Sequence, residues 1–286
     1  MGLVWRWIGL GLGVLAGLAL AAIACIYIAS ESVIERRYAL PPSNFHVAEN
    51  TSAIVRGQRL VQGYGCSDCH GKDLQGAYIE DFAMTSRNLT VLVKTFSDAD
   101  FYRVLRYGLR PNGTSVAETM PSDAFQYMRE ADIADIVAYL RSLPAVGVSV
   151  PEPSYGLKAR YNLLFGDGKT DVMWFALQKP ALDLGPKYAL GRQLAMAACG
   201  ECHTTTLQGS PAPAGLAAPP DLSIVASYDR GDFFRFMRTG RAAGNRELPL
   251  MSRTARRRFS HFNDAELGEI YNYLAARGQK LTASAH

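Results

Sequence analysis

The sequence predicts an all-α protein, with an N-terminal transmembrane helix followed by two tandem helical domains. Three observations carry this. Residues 7–29, WIGLGLGVLAGLALAAIACIYIA, run 23 residues without a charge. The block GYGCSDCHGKDLQG (63–76) returns as AACGECHTTTLQGS (197–210). Both halves carry apolar residues on a helical period, and strand-like alternation is scarce.

The apolar run assigns residues 1–37 to a membrane anchor. At 1.5 Å per residue its 23 positions reach about 35 Å, enough for a bilayer core with some tilt. Trp5, Trp7 and Tyr27 lie near its ends, where aromatic rings favour the lipid interface. Two alternatives stand beside an uncleaved anchor. One is a cleaved signal peptide, for which the run is long. The other is a lipoprotein signal ending at Cys25, although Ala22 stands where a larger aliphatic residue is usual. Otherwise Cys25 is a small apolar residue facing lipid. One arginine precedes the run and two follow it, so charge does not set the orientation.

The remaining chain divides into domains at 50–146 and 186–280, with an interdomain segment at 147–185. The division rests on a duplication with an offset of 131–134 residues. GQRL (57–60) matches GRQL (191–194), and NLT (88–90) matches DLS (221–223). DFYRVLRYG (100–108) matches DFFRFMRTG (232–240), and IVAYL (136–140) matches EIYNYL (269–274). Ser97 is a helix N-cap signal, while Gly108 and Gly278 are closing signals. Between the halves, the Pro-rich 144–156 gives way to two short helical pieces. Phe165, Trp174 and Phe175 make this segment too apolar for a free linker, so it is expected to pack across both halves. With 286 residues, 48% hydrophobic and 20% charged, the chain has ample core material. A net charge of +4 is too weak to argue for nucleic acid.

Four of the five cysteines form two C-x-x-C-H units, Cys66, Cys69 and His70, then Cys199, Cys202 and His203. This spacing is the attachment signature of c-type haem. Two thiols three positions apart reach the two vinyl groups of one porphyrin edge, and the adjacent histidine lies under the iron as proximal ligand. The chain is thus expected to bind two covalently attached haem c groups. A zinc site would need a second ligand pair for each C-x-x-C, and only His46, His261 and His286 remain. A thioredoxin-like redox pair would need a βαβ setting that this pattern lacks.

The sixth iron ligand is expected from Met120, in a loop before the last helix of the first half, and from Met251 in the same place in the second, 50 and 48 residues after their histidines. A thioether ligand raises the potential relative to a second histidine. Met84 and Met128 are the rivals in the first half, with Met128 at core spacing; His261 is the rival in the second. Pro121 would fix the loop behind Met120. Arg103, Arg106, Arg235 and Arg238 either meet haem propionates or form a solvated helix face. Tyr64 and Tyr107 either line the first haem or pack. Arg253, Arg256, Arg257 and Arg258 either dock an acidic partner or are an ordinary charged run.

The stretch NLT…FSDADFYRVLRYGLRPNG…MPSDAF…ADIADIVAYLRSLPAV resembles the class I cytochrome c domains of membrane-bound bacterial dehydrogenases, among them the cytochrome subunits of quinoprotein alcohol dehydrogenases. The resemblance spans residues 50–146 and, with Ser252 in place of the proline after the methionine, 186–278. It implies haem attachment at Cys66 and Cys69 and ligation by His70 and Met120. Those subunits often carry three haems and a C-terminal anchor, whereas this sequence is expected to carry two haems and an N-terminal anchor. Attachment of haem c outside the bacterial inner membrane implies a single-pass protein with periplasmic domains. The resulting expectation is a membrane-tethered electron carrier, itself not an enzyme. It would link a respiratory donor, a dehydrogenase above all, to an acceptor such as a terminal oxidase or a soluble cytochrome. The alternatives are a dihaem cytochrome c peroxidase, which needs one displaceable sixth ligand, and an assembly subunit of a larger complex.

Overall fold

A computed structural model describes residues 2–80, 84–117, 119–149, 155–166, 168–211 and 217–284. Part of the Pro-rich stretch, and the side chain of the rival Met84, lie outside the described residues. Helix α1 (Gly2–Ile34) has 33 residues, about 50 Å in length. It is exposed along almost its whole course and is long and apolar enough to cross a membrane, a test that a leader helix also meets. Its C-terminal end alone is covered, with Ser30 and Ile34 buried. There α8 (Leu157–Phe165) packs on it. Arg160 donates to Ser30 Oγ (2.8 Å) and Glu31 (2.7 Å), and its guanidinium lies over the Tyr27 ring at 4.6 Å.

The first half is built on α2 (Thr51–Gly63) crossing α7 (Glu130–Ser142). Asn50 caps α2 by accepting from the Ala53 amide. The crossing is close because Gly57 has no side chain. A Cβ there would overlap the Asp135 carbonyl and stand 2.8 Å from Tyr139 Cβ. The short α4 (Leu89–Leu92) precedes α5 (Asp98–Tyr107), which begins at a Ser97/Asp100 capping box and ends at Gly108 in the left-handed region, φ 63°. The second half repeats the arrangement. There α10 (Ala189–His203) crosses α13 (Asp264–Ala283) at Gly191, where a Cβ would overlap the Glu269 carbonyl and stand 2.8 Å from Tyr273 Cβ. Helix α11 (Arg230–Thr239) is capped by Asp229 and closed by Gly240, φ 72°.

The halves differ at the entry to the motif. Gly65, φ 75°, breaks the chain between α2 and the one-turn α3 (Cys66–His70). In the second half Ala197 and Ala198, strong helix formers, carry α10 unbroken through Cys199 to His203. Strand structure among the described residues is confined to two short hairpins, Tyr78–Ile79 with Met84–Thr85 and Arg241–Ala242 with Arg246–Glu247.

The halves meet over a mixed interface. Tyr64 stands edge-on to Phe262 at 5.4 Å, and its hydroxyl donates to Asp132. The buried Glu266 accepts from Arg59 at 2.6 and 2.9 Å and from Arg129 at 3.2 Å. The segment between the halves touches both. The amide of Val172, in the short α9 (Asp171–Phe175), donates to Ser115 Oγ at 3.0 Å, and Thr205 donates to Gln178 and the Lys179 carbonyl at 2.8 Å. These ties are polar rather than aromatic, and Phe165 stays 68% exposed.

Candidate functional site

In both halves the chain around the motif histidine takes the same course. After His70, Leu74 adopts φ 59° with its side chain buried, and after His203, Leu207 adopts φ 63°, also buried. A left-handed conformation costs a branched residue roughly 1–2 kcal/mol, which burial of a leucine offsets at about 1.5–3 kcal/mol. The turn is tied by matching bonds. The amide of Gly76 donates to the His70 carbonyl (2.9 Å), and that of Gly209 to the His203 carbonyl (3.0 Å). Ser86 Oγ donates to the Cys69 carbonyl (2.7 Å), and Ser210 Oγ to the Cys202 carbonyl (3.1 Å).

These turns fix the imidazoles. His70 Nδ1 lies 2.8 Å from the Arg87 carbonyl and His203 Nδ1 lies 2.8 Å from the Pro220 carbonyl. A carbonyl only accepts, so each Nδ1 carries the proton and each Nε2 keeps a lone pair for a metal. Burial lowers the pKa of both histidines, which keeps the rings neutral near pH 7.

Cys66, Cys69, His70 and Met120 line one cavity in the first half. Its walls are mostly apolar, including Phe101, Leu105, Val116, Phe125 and Ile136. Met120 sits in the turn ahead of α6 (Ser122–Phe125), its amide donating to the Ala117 carbonyl. Two thiols, a histidine with its Nε2 lone pair free, a thioether and apolar walls in one cavity fit a covalently attached haem. A thiolate metal site fits poorly. Burial pushes the Cys66 and Cys199 thiols up to about 12 and also raises Cys69. Among the described residues no three His, Cys, Asp or Glu side chains are grouped to hold a metal ion.

In the second half His203 is buried, Cys199 is half-buried and Cys202 is exposed. Met251 lies not in a loop but in the first turn of α12 (Pro249–Arg257), half-buried against the core, where Pro249 starts the helix. The first cavity includes none of these four residues. Among the rivals, Met128 is core, 1% exposed. His261 is half-buried at the interface, where its carbonyl accepts from Arg59.

Several arginines have partners that the sequence reading did not foresee. Arg106 donates to the carbonyls of Gln126 and Met128, and Arg238 to those of Ser260 and Phe262. Each holds the chain leading into the last helix of its half. Tyr64 both lines the cavity and packs, whereas Tyr107 packs edge-on to Tyr102. The basic run faces inward in part. Arg256 pairs with Glu247, Arg257 with Asp68, and Arg258 with Asp68 and Glu201.

Comparison with known proteins agrees with this chemistry. The cytochrome c family model matches residues 54–144. The fructose dehydrogenase cytochrome subunit of Gluconobacter japonicus is 24% identical over 78% of this chain and 52% of its own length. The gluconate 2-dehydrogenase cytochrome c subunit of Pantoea cypripedii is 24% identical over 81% of this chain and 61% of its own. The cytochrome c subunit of the quinone alcohol dehydrogenase of Gluconobacter oxydans (strain 621H) is 26% identical over 80% and 56%. The chain therefore spans between half and three-fifths of the length of these relatives. Residues 54–144 are a cytochrome c domain, the kind that binds haem c covalently, and the chain is a homologue of proteins named as cytochrome c subunits of dehydrogenases.

Proposed function

We propose that this protein is a membrane-tethered dihaem cytochrome c that passes electrons from a dehydrogenase to an acceptor such as a terminal oxidase or a soluble cytochrome. The observation that carries the reading is the matching geometry of the two C-x-x-C-H segments. Both place a neutral imidazole with its Nδ1 proton held by a backbone carbonyl 17 residues on. When bound, haem c supplies an iron that cycles between the ferrous and ferric states. The chain's residues do the rest. Cys66, Cys69, Cys199 and Cys202 would hold the two groups as thioethers. His70 and His203 would ligate through Nε2, and the bonds to Arg87 and Pro220 keep each ring oriented. Met120 and Met251 would supply soft thioether donors, which favour the reduced state. The apolar lining of the first cavity excludes water from the site.

Helix α1 tethers the protein with its domains on the periplasmic side of the bacterial inner membrane. The Arg160 contacts then lock the interdomain segment to the membrane-proximal end of that helix. The dehydrogenase partner is inferred from the names of the relatives. Purification of the tagged protein in mild detergent from its native membrane tests it. A stoichiometric dehydrogenase in the eluate is the expected result. A haem–copper oxidase in its place, or no partner, would overturn the dehydrogenase assignment.

A further inference from the structure

One side chain lies between the two C-x-x-C-H segments. Arg258 donates from Nε to Asp68 Oδ2 at 2.6 Å and from a terminal nitrogen to Glu201 Oε2 at 2.5 Å. Asp68 is the residue before Cys69, and Glu201 is the residue before Cys202. Arg257 brings a second cation to Asp68 at 2.7 Å. The Arg258 side chain is only 15% exposed, so its pairs are less screened than surface pairs. Room for it is made by Gly65, where a Cβ would overlap the guanidinium. Arg258 and Glu201, both from the second half, also line the cavity that holds Cys66, Cys69, His70 and Met120. The first cavity is therefore completed by the second half, at the point where the second motif passes.

A planar guanidinium presents donors in several directions at once and can serve two carboxylates in fixed geometry; a lysine ammonium is a point charge on a flexible stem. Without Arg258, Asp68 and Glu201 would face one another as like charges with one cation fewer between them.

We propose that Arg258 is a positioning residue that fixes the two C-x-x-C-H segments against each other, so that electron exchange between the two centres crosses this contact and both centres sense its charge. The proposal rests on the two-haem reading above. It assigns the inter-centre route to the attachment edges of the cofactors, with Asp68, Arg258 and Glu201 as the bridge. A cation shared by the two edges favours the reduced form of either iron.

The test is a potentiometric titration of the full-length holoprotein in detergent, combined with amide hydrogen exchange at residues 66–70 and 199–203. The haem content of the wild type is measured first. Arg258→Gln is expected to lower both midpoint potentials and to increase exchange in both segments. The double variant Asp68→Asn, Glu201→Gln removes two negative charges and is expected to raise both potentials, and it decides the matter alone if Arg258→Gln does not fold. Arg258→Lys is expected to keep both potentials near wild type while losing amide protection, since it restores the charge but not the fork. Movement of one wave only, or of neither, would overturn the proposal, as would Arg258→Lys lowering both potentials as far as Arg258→Gln. A wild type with a single haem would sink the two-haem reading and the proposal with it. Two haems with unmoved potentials would sink the proposal alone.

Discussion

Replacing Gly57 or Gly191 by alanine tests whether the two halves are held by the same helix crossing. In each case the new methyl would overlap a backbone carbonyl, that of Asp135 or Glu269. It would also stand 2.8 Å from the Cβ of Tyr139 or Tyr273, where carbon atoms rest at about 3.5–4.0 Å. The obstacle is backbone and Cβ, which cannot rotate away, so the helices must part by roughly an ångström or more. Overpacking of this kind costs about 1–3 kcal/mol. Alanine's better helix propensity returns at most about 1 kcal/mol. A net loss of about 1–2 kcal/mol lowers the melting point of a domain of this size by roughly 5–15 °C. Thermal melts of the holoprotein, followed by haem absorbance and by circular dichroism, give the measurement. Because the two crossings match in geometry, the two variants are expected to fall by similar amounts. A melting point within about 2 °C of wild type for either variant would refute the close-crossing argument for that half.

Other perturbations follow from the same geometry. Met120→His and Met251→His should each lower one of two midpoint potentials, because a second imidazole favours ferric iron more than a thioether does; a Met251→His protein with both potentials unchanged would remove Met251 as a ligand. Burial works to raise the Asp221 carboxyl, but the hydrogen bond from Arg277, the Ser223 amide and the Arg277 charge outweigh it and hold the group below the usual carboxylate range. Its folded pKa is depressed, so its stabilisation is present above the unfolded pKa near 4 and is lost as pH falls through the folded value. Asp221→Asn should therefore reduce stability at neutral pH and flatten the acid limb of a urea-midpoint profile below about pH 4; an unchanged acid limb would count against the pair. Replacing residues 1–37 by a cleavable export signal should move the haem protein from the membrane to the soluble periplasmic fraction, and retention in the membrane would show that the tether lies elsewhere.

Much of this was legible in the sequence because it is written in local signals. The C-x-x-C-H spacing, the Ser97 cap and Gly108 each act within a few residues. The duplication aligned GQRL with GRQL, and the structure gives the glycine in each a physical role, the close approach of a partner helix. The bridge through Arg258 was not legible. Its two carboxylates stand 190 and 57 positions away, and a run of arginines carries no sign of where it folds back. The partners of His70 and His203 were equally hidden, because a backbone carbonyl leaves no residue type to read. Met251 was placed in a loop by analogy with Met120. The signal against that was Pro249, whose fixed φ starts α12 two residues earlier.

The proposed function stands on two covalently attached haems in one chain. Intact-mass analysis of the denatured protein, with haem quantified on the same sample, tests it most directly. The expected mass is that of the chain with its N-terminal helix plus two haem groups, falling to one in Cys66→Ala, Cys69→Ala and to one in Cys199→Ala, Cys202→Ala. A wild type bearing a single haem, or a second-motif variant that loses none, would contradict it.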